Sequence, residues 1–241
     1  MNTVQRAIIM AAGKGTRMRE LTDDCPKPLL KVNGERMIDS TIDALLSNGI
    51  QEIIIVVGYH KEKFKDVTDK YPQVRLLDNP YYDTCNNISS IYMARDLLQN
   101  AMIIEGDQFF FRPAPLTAQF EHSGYNVFWT DKPTNEWVYR TDPDGKILSC
   151  LDHGAEKGWF VYGVSRWTAE DGEKLKHWIT YEFEVKQNRQ IYWDRVPVFL
   201  HPEEFDLYIH ITDGRDRVEL DSVEELAVID ESYRAFTKED S

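Results

Sequence analysis

AIIMAAGKGTRMRELTDDCPKPLL (residues 7–30) begins as a short apolar run and turns, at Gly13, into a loop rich in glycine, proline and cations. An apolar run of this length, closed by a glycine, reads as a strand buried on both faces of a parallel sheet. A Gly-x-Gly turn after such a strand lets backbone N–H groups approach phosphates closely. Lys14, Arg17 and Lys27 add positive charge to the same loop. Two familiar phosphate motifs do not fit. A P-loop needs an earlier glycine ahead of its Gly-Lys pair, and none lies at that distance; the dinucleotide fingerprint needs a third glycine where Met18 stands. The plain alternative is a glycine turn with surface cations.

Outward from this stretch, strands and helices alternate. Ile38, Ile42, Leu45 and Leu46 recur at helical spacing before Gly49, which predicts a helix stopping there. Residues 52–57 (EIIIVV) form a second buried run, ended by Gly58. A polar helix is expected over 61–70, a strand over 74–77, a helix over roughly 87–99 and a strand over 101–105. The class is α/β, a doubly wound, mostly parallel, Rossmann-like sheet. Ligands bind such sheets beyond the C-terminal ends of strands. Gly13, Gly58 and Asp107 all fall at such ends, so one crevice is implied before any motif is named.

The second half reads as a smaller mixed α+β portion. Strands are expected at 126–130, 136–140, 146–151 and 159–165, with a DPDG turn at 142–145. A helix follows over 169–181, then a segment at 190–199 with Tyr192 and Trp193, a strand at 206–211 and a last helix at 222–229. The final TKEDS reads as a frayed tail. The whole is expected to be one domain, 1–241, made of a core (1–125) and a completing part (126–241).

Composition excludes several classes. Lys+Arg is 28 and Asp+Glu is 41, a net charge of −13, which disfavours nucleic acid and anionic membranes as partners. Residues 1–80 carry net +1 and residues 201–241 net −9. No apolar run approaches a membrane span, and the N-terminus lacks a signal-peptide pattern. Three cysteines without a CxxC read as reduced thiols in a cytoplasmic protein. The six histidines show no metal-ligand spacing.

The segment Ala11-Ala12-Gly13-x-Gly15-x-Arg17, followed by Pro26-Lys27-Pro28-Leu29, resembles the nucleotidyltransferases that activate sugar phosphates and alcohol phosphates with CTP, UTP or dTTP. With Val57-Gly58-Tyr59, Asn86-Asn87-x-x-Ser90-Ile91-Tyr92, Asn135-Glu136-Trp137, Tyr192-Trp193-Asp194 and Glu219-Leu220-Asp221-Ser222-Val223, the chain is most similar to the bacterial CTP:phosphocholine cytidylyltransferases. The resemblance implies CMP transfer from CTP to phosphocholine, with Mg²⁺ held by Asp107 and Asp221. It makes residues 1–125 the nucleotide-binding core and 126–241 the acceptor-binding part. The state expected is monomer or homodimer.

Under this reading Ala11, Ala12, Gly13, Lys14, Gly15 and Thr16 cradle the nucleotide, and Arg17 and Lys27 neutralise phosphate charge. Gly58 leaves room for a ring, and Asn86, Asn87 and Ser90 can meet a pyrimidine edge. Equally, Asn86-Asn87 can cap the helix behind it, and Asp221 can be a helix-start acid beside Ser222. A trimethylammonium is bound best by aromatic faces with a carboxylate nearby. Trp137, Trp167, Tyr192 and Trp193, with Glu136 and Asp194, are the candidates, and Arg166 is placed to suit a more anionic acceptor. The alternatives keep the reaction and change the acceptor to 2-aminoethylphosphonate, phosphoethanolamine, glycerol phosphate or a sugar 1-phosphate, or replace the enzyme by a nucleotide-binding regulator.

Overall fold

The computed structural model describes residues 1–237, so all of the expected tail but Thr237 lies outside the described residues. The four apolar runs of the first half are strands β1 (Arg6–Ala11), β2 (Glu52–Val57), β3 (Val74–Asp78) and β4 (Ala101–Glu105). They lie in the order β3-β2-β1-β4 and pair in parallel throughout. Neighbouring residues on β1 face opposite cores. Ile9 packs with Ile38, Ile42 and Leu45 of helix α1 (Met37–Ser47). Ile8 packs with Ile88 and Ile91 of helix α3 (Ile88–Met93). Covered on both faces, the strands need no polar alternation, which is why they read as unbroken apolar runs.

Helix α2 (Lys65–Lys70) is preceded by a 3₁₀ turn, Lys61–Phe64, within the span expected. The helix read over 87–99 is shorter than its periodicity suggested. It stops at Met93 and tightens into a 3₁₀ turn, Arg95–Leu97, where the Leu97 N–H reaches back to the Ala94 carbonyl at 2.8 Å.

The second half extends the same sheet. Strands β6 (Gly124–Thr130), β7 (Val138–Thr141), β8 (Ile147–Leu151) and β9 (Gly158–Trp167) appear within two residues of the predicted bounds, following a short strand β5 (Gln108–Phe110). Among the described residues the main sheet has nine strands. β9 organises it. Val164–Trp167 pair antiparallel with β4, Trp159 and Phe160 pair with β7, and the opposite edge pairs with β6. One ten-residue strand therefore joins the parallel core to the mixed portion. Helix α4 (Ala169–Thr180), capped by Thr168, follows it. The segment expected at 190–199 forms a helical turn only at Val196–Leu200.

Strand β10 (Tyr208–Ile211) lies parallel to β6, and β11 (Arg217–Glu219) pairs antiparallel with β5, Glu219 opposite Gln108. This second pairing brings the C-terminal segment beside Asp107, whose carbonyl accepts from the Leu220 N–H at 3.2 Å. Helix α5 (Val223–Ile229) starts with a capping box. The Ser222 hydroxyl accepts from the Glu225 N–H, and the Glu225 carboxylate accepts from the Ser222 N–H. Among the described residues no helix is long and apolar enough to cross a membrane, and the three cysteines are unpaired.

Candidate active site

A cavity of about 830 Å³ opens beyond the C-terminal ends of β1 and β4, where the strand order reverses. The loop after β1 supplies Gly13, Gly15, Thr16 and Arg17 to its wall, below Ala11 and Ala12. Two independent constraints fix this loop. Gly15 has φ +64°, and a Cβ there would lie 2.9 Å from the Lys27 Cβ, so the turn and the lysine are shaped to each other. The Thr22 hydroxyl donates to the Gly15 carbonyl at 3.0 Å, and the Tyr59 hydroxyl donates to the Thr22 carbonyl at 2.9 Å.

Lys27, between two prolines, is 8% exposed. Its Nζ donates to Asp107 Oδ2 at 2.9 Å and to Asp221 Oδ1 at 2.8 Å. Arg17 Nη2 meets the same Asp221 oxygen at 2.7 Å. Burial works against the Lys27 charge, but Asp107 and Asp221 outweigh it and hold its pKa above the ordinary lysine value. For Asp221 burial favours the neutral acid, and Lys27 with Arg17 reverses that, lowering its pKa. Asp221 is thus an ion-pair acid and also directly precedes the capping residue Ser222.

Asp107 has company that the sequence reading missed. Ligand oxygens of Glu105, Asp107 and Glu219 lie within 4.8 Å of one another. Burial, then Asp107, pushes Glu105 well up, and the same causes raise Glu219 to about 7. Asp107 Oδ1 is buried and, among the described residues, has no hydrogen-bond partner. The signal was available: Glu105-x-Asp107 and Glu219-x-Asp221 repeat one spacing, and alternate residues of an extended chain share a side. That the two stretches meet is a consequence of the β5–β11 pairing.

Asn86 and Asn87 line the cavity with Ser90, but they do not cap α3 with their side chains. Asn86 Nδ2 donates to the Gln190 carbonyl at 3.3 Å, and Asn87 Oδ1 accepts from the Trp193 N–H at 2.8 Å. They tie the first half of the chain to the 190–193 segment. Ser90 is fixed by Asn79, whose Nδ2 donates to both Ser89 and Ser90 hydroxyls. Glu136, Trp137, Tyr192, Trp193 and Asp194 close the wall, joined by Tyr125 and Asp152, which were not anticipated.

Four expectations are corrected. Trp167 is 0% exposed and outside the wall. It pairs with Ala101, the first residue of β4, so it sits at the end of that strand away from Asp107. Arg166 is likewise remote. It donates to the carbonyls of Thr117 and Pro115 at 3.1 and 2.8 Å and to Asn126. Gly58 does leave room for a ring, but the ring belongs to Tyr82: a Cβ on Gly58 would be 2.6 Å from it. Tyr82, not Gly58, reaches the cavity. Lys14 turns outward to an ion pair with Asp83 and does not line the wall.

Residues 7–166 match the MobA-like NTP transferase domain family. A 2-aminoethylphosphonate cytidylyltransferase from Lancefieldella rimae is 38% identical over 94% of this chain and 92% of its own length. A choline-phosphate cytidylyltransferase from Streptococcus pneumoniae is 34% identical over 94% of this chain and 97% of its own. The solved structure of the CTP:phosphocholine cytidylyltransferase from Streptococcus pneumoniae superimposes with a TM-score of 0.88, at 33% identity, covering 95% of this chain and 99% of that one.

Proposed function

The chain belongs to the MobA-like NTP transferase family, and we propose that it is a cytidylyltransferase joining CMP from CTP to a small zwitterion, anionic at a phosphate or phosphonate and cationic at an ammonium. The observation that carries this reading is a single cavity walled by a cationic glycine loop, a carboxylate cluster and a pocket of acids and aromatics.

The chemistry asks for positioning and charge neutralisation. An oxygen of the acceptor's phosphate or phosphonate, already anionic near neutral pH, attacks the α-phosphorus of CTP in line. A P–O bond forms, the bond from the α-phosphorus to the bridging oxygen breaks, and pyrophosphate leaves with that electron pair. No general base is needed. N–H groups of residues 13–17 and the Arg17 guanidinium hold the β- and γ-phosphates. The Lys27 ammonium neutralises charge on the transferring group. Asn86, Asn87 and Ser90 face the pyrimidine edge, with Tyr82 beside them. Glu136 and Asp194 offset the head-group cation.

The donor set fits Mg²⁺. Hard carboxylate oxygens converge, and Asp107 Oδ1 is an orphaned buried acceptor among them. Glu105, Asp107 and Glu219, with Asp221 alongside, would hold the ion, which would supply charge neutralisation at the α-phosphate. Consumption of CTP supports a cytoplasmic setting for the reaction.

The test is pyrophosphate release for CTP, UTP and dTTP against phosphocholine, phosphoethanolamine, 2-aminoethylphosphonate and glucose 1-phosphate. Turnover of CTP with a zwitterion is expected. Turnover confined to glucose 1-phosphate overturns the acceptor class, and CTP binding without turnover of any pair makes the chain a regulator. If phosphocholine is the acceptor, Trp137, Tyr192 and Trp193 are the wall residues that would meet its head group.

A further inference from the structure

The corner of the cavity assigned to the head group carries a deficit of hydrogen bonds. Asp194 Oδ1, the Tyr125 and Tyr139 hydroxyls and Trp193 Nε1 are all buried and, among the described residues, unpartnered. They form one neighbourhood: the Tyr125 ring lies 5.6 Å from that of Tyr139 and 6.2 Å from that of Trp193. Tyr125, Trp193 and Asp194 line the cavity. Buried polar groups in folded proteins are almost always satisfied, so orphans on three residues that line one cavity call for a ligand that satisfies some of them.

The aromatic faces point the same way by being spent. Trp193 is 3% exposed, stacked on Tyr125 on one side and met by Trp167 at 6.0 Å. Trp137 meets Phe199 edge-on at 5.1 Å and carries the Arg195 guanidinium 6.0 Å from its ring centre. Arg195 is itself held by Asp152 at 2.9 Å. Tyr192, 55% exposed, keeps a free face. A trimethylammonium has no N–H and relies on several open faces. It would bury Asp194 Oδ1 and the Tyr125 hydroxyl without a hydrogen bond.

Resting on the transfer reading above, we infer that the acceptor's head group is a primary ammonium, and that Asp194 and the Tyr125 hydroxyl select it by accepting its N–H groups. An ammonium offers three donors, a carboxylate and a phenolic oxygen each accept, and the charge is matched in the same contact. The Trp193 N–H, a donor only, gains nothing from an ammonium and belongs to the wall.

The experiment compares kcat/KM at saturating CTP for phosphoethanolamine and 2-aminoethylphosphonate against phosphocholine, in the wild type, Asp194→Asn and Tyr125→Phe. The wild type is expected to prefer the primary ammonium by roughly 10- to 100-fold, the size of a hydrogen bond to a charged group. Asp194→Asn should raise the acceptor KM and narrow that preference, leaving the KM for CTP in place; Tyr125→Phe should narrow it less. Equal or better use of phosphocholine by the wild type, or an equal loss for both head groups in both variants, overturns the inference while leaving cytidylyl transfer standing. If no acceptor releases pyrophosphate, the transfer reading fails and takes this inference with it.

Discussion

Replacing Lys27 by methionine removes one charge from between two acids and keeps the side chain's length. In the wild type its Nζ lies 2.9 Å from Asp107 and 2.8 Å from Asp221, with its own side chain 10% exposed. Breaking a buried ion pair from one side costs about 3–5 kcal/mol, because the remaining charge is stranded. Here the loss is smaller. The two carboxylates keep 21% and 23% of their side-chain surface in water, and Asp221 keeps Arg17 at 2.7 Å. Roughly 2–3 kcal/mol is expected, a fall in Tm of about 5–10 °C for a chain of this size. Turnover should fall further, by about 10²–10³-fold, the cost of deleting one preorganised charge at a transferring group. Because the lysine pKa is raised, its stabilising contribution is complete at neutral pH and is lost only as pH rises above the ordinary lysine value. The stability penalty should therefore be level across neutral pH. Thermal melting and a coupled pyrophosphate assay measure both quantities, with Lys27→Arg as the variant that keeps charge and changes shape. A Lys27→Met enzyme that turns over at the wild-type rate refutes the role given to this residue.

Gly15→Ala should lower stability by about 1–2 kcal/mol, for a side chain forced into the left-handed region, and should impair turnover more than stability, since its Cβ would press on Lys27. Burial raises the Asp194 pKa to about 7, so below that pH the carboxyl is neutral and the head-group cation unpaired. The acceptor KM should then rise as pH falls through about 7, and Asp194→Asn should abolish that limb; an unchanged profile in the variant counts against it. Burial, then Arg166, lowers the His210 pKa from 6.5 to about 3. Its contribution to stability is complete above 6.5 and is lost as pH falls toward 3. Urea titrations of His210→Gln should show less destabilisation than the wild type between neutral pH and mildly acidic pH, by roughly 2–3 kcal/mol.

Much of the proposed nucleotide side was legible because its signals are local. Buried parallel strands announce themselves as apolar runs, and the glycine that ends three of the four marks where the chain leaves the sheet; Gly13 and Asp107 follow directly. The proposed acceptor side was less legible because its signals are tertiary. A tryptophan in a core and one in a pocket have the same neighbours in sequence, and only the antiparallel register of β9 on β4 sends Trp167 to the far end of the sheet. The partner of Gly58 lies twenty-four residues on, at Tyr82, and no spacing rule links them. Glu105 and Glu219 were visible as half of a repeated pattern, but a pair of acids on one strand is common. It became a cluster once β5 and β11 were known to meet. The weight given to aromatics for the head group also shifts with structure, since rings already stacked on each other have no face to offer.

The join made by β9 separates two kinds of inheritance. Lys27, Asp107 and Asp221, the residues proposed to handle phosphate, grow from the parallel strands, the proline turn and the β5–β11 pair, and they constrain one another through shared oxygens. Most of the residues proposed for the head group come from short stretches, 135–137 and 192–194, that hang from the sheet without forming its strands; Tyr125, on β6, is the exception. The two sets can therefore be altered separately: substitutions in those stretches should shift acceptor preference while the contacts of Lys27 with Asp107 and Asp221 stay in place.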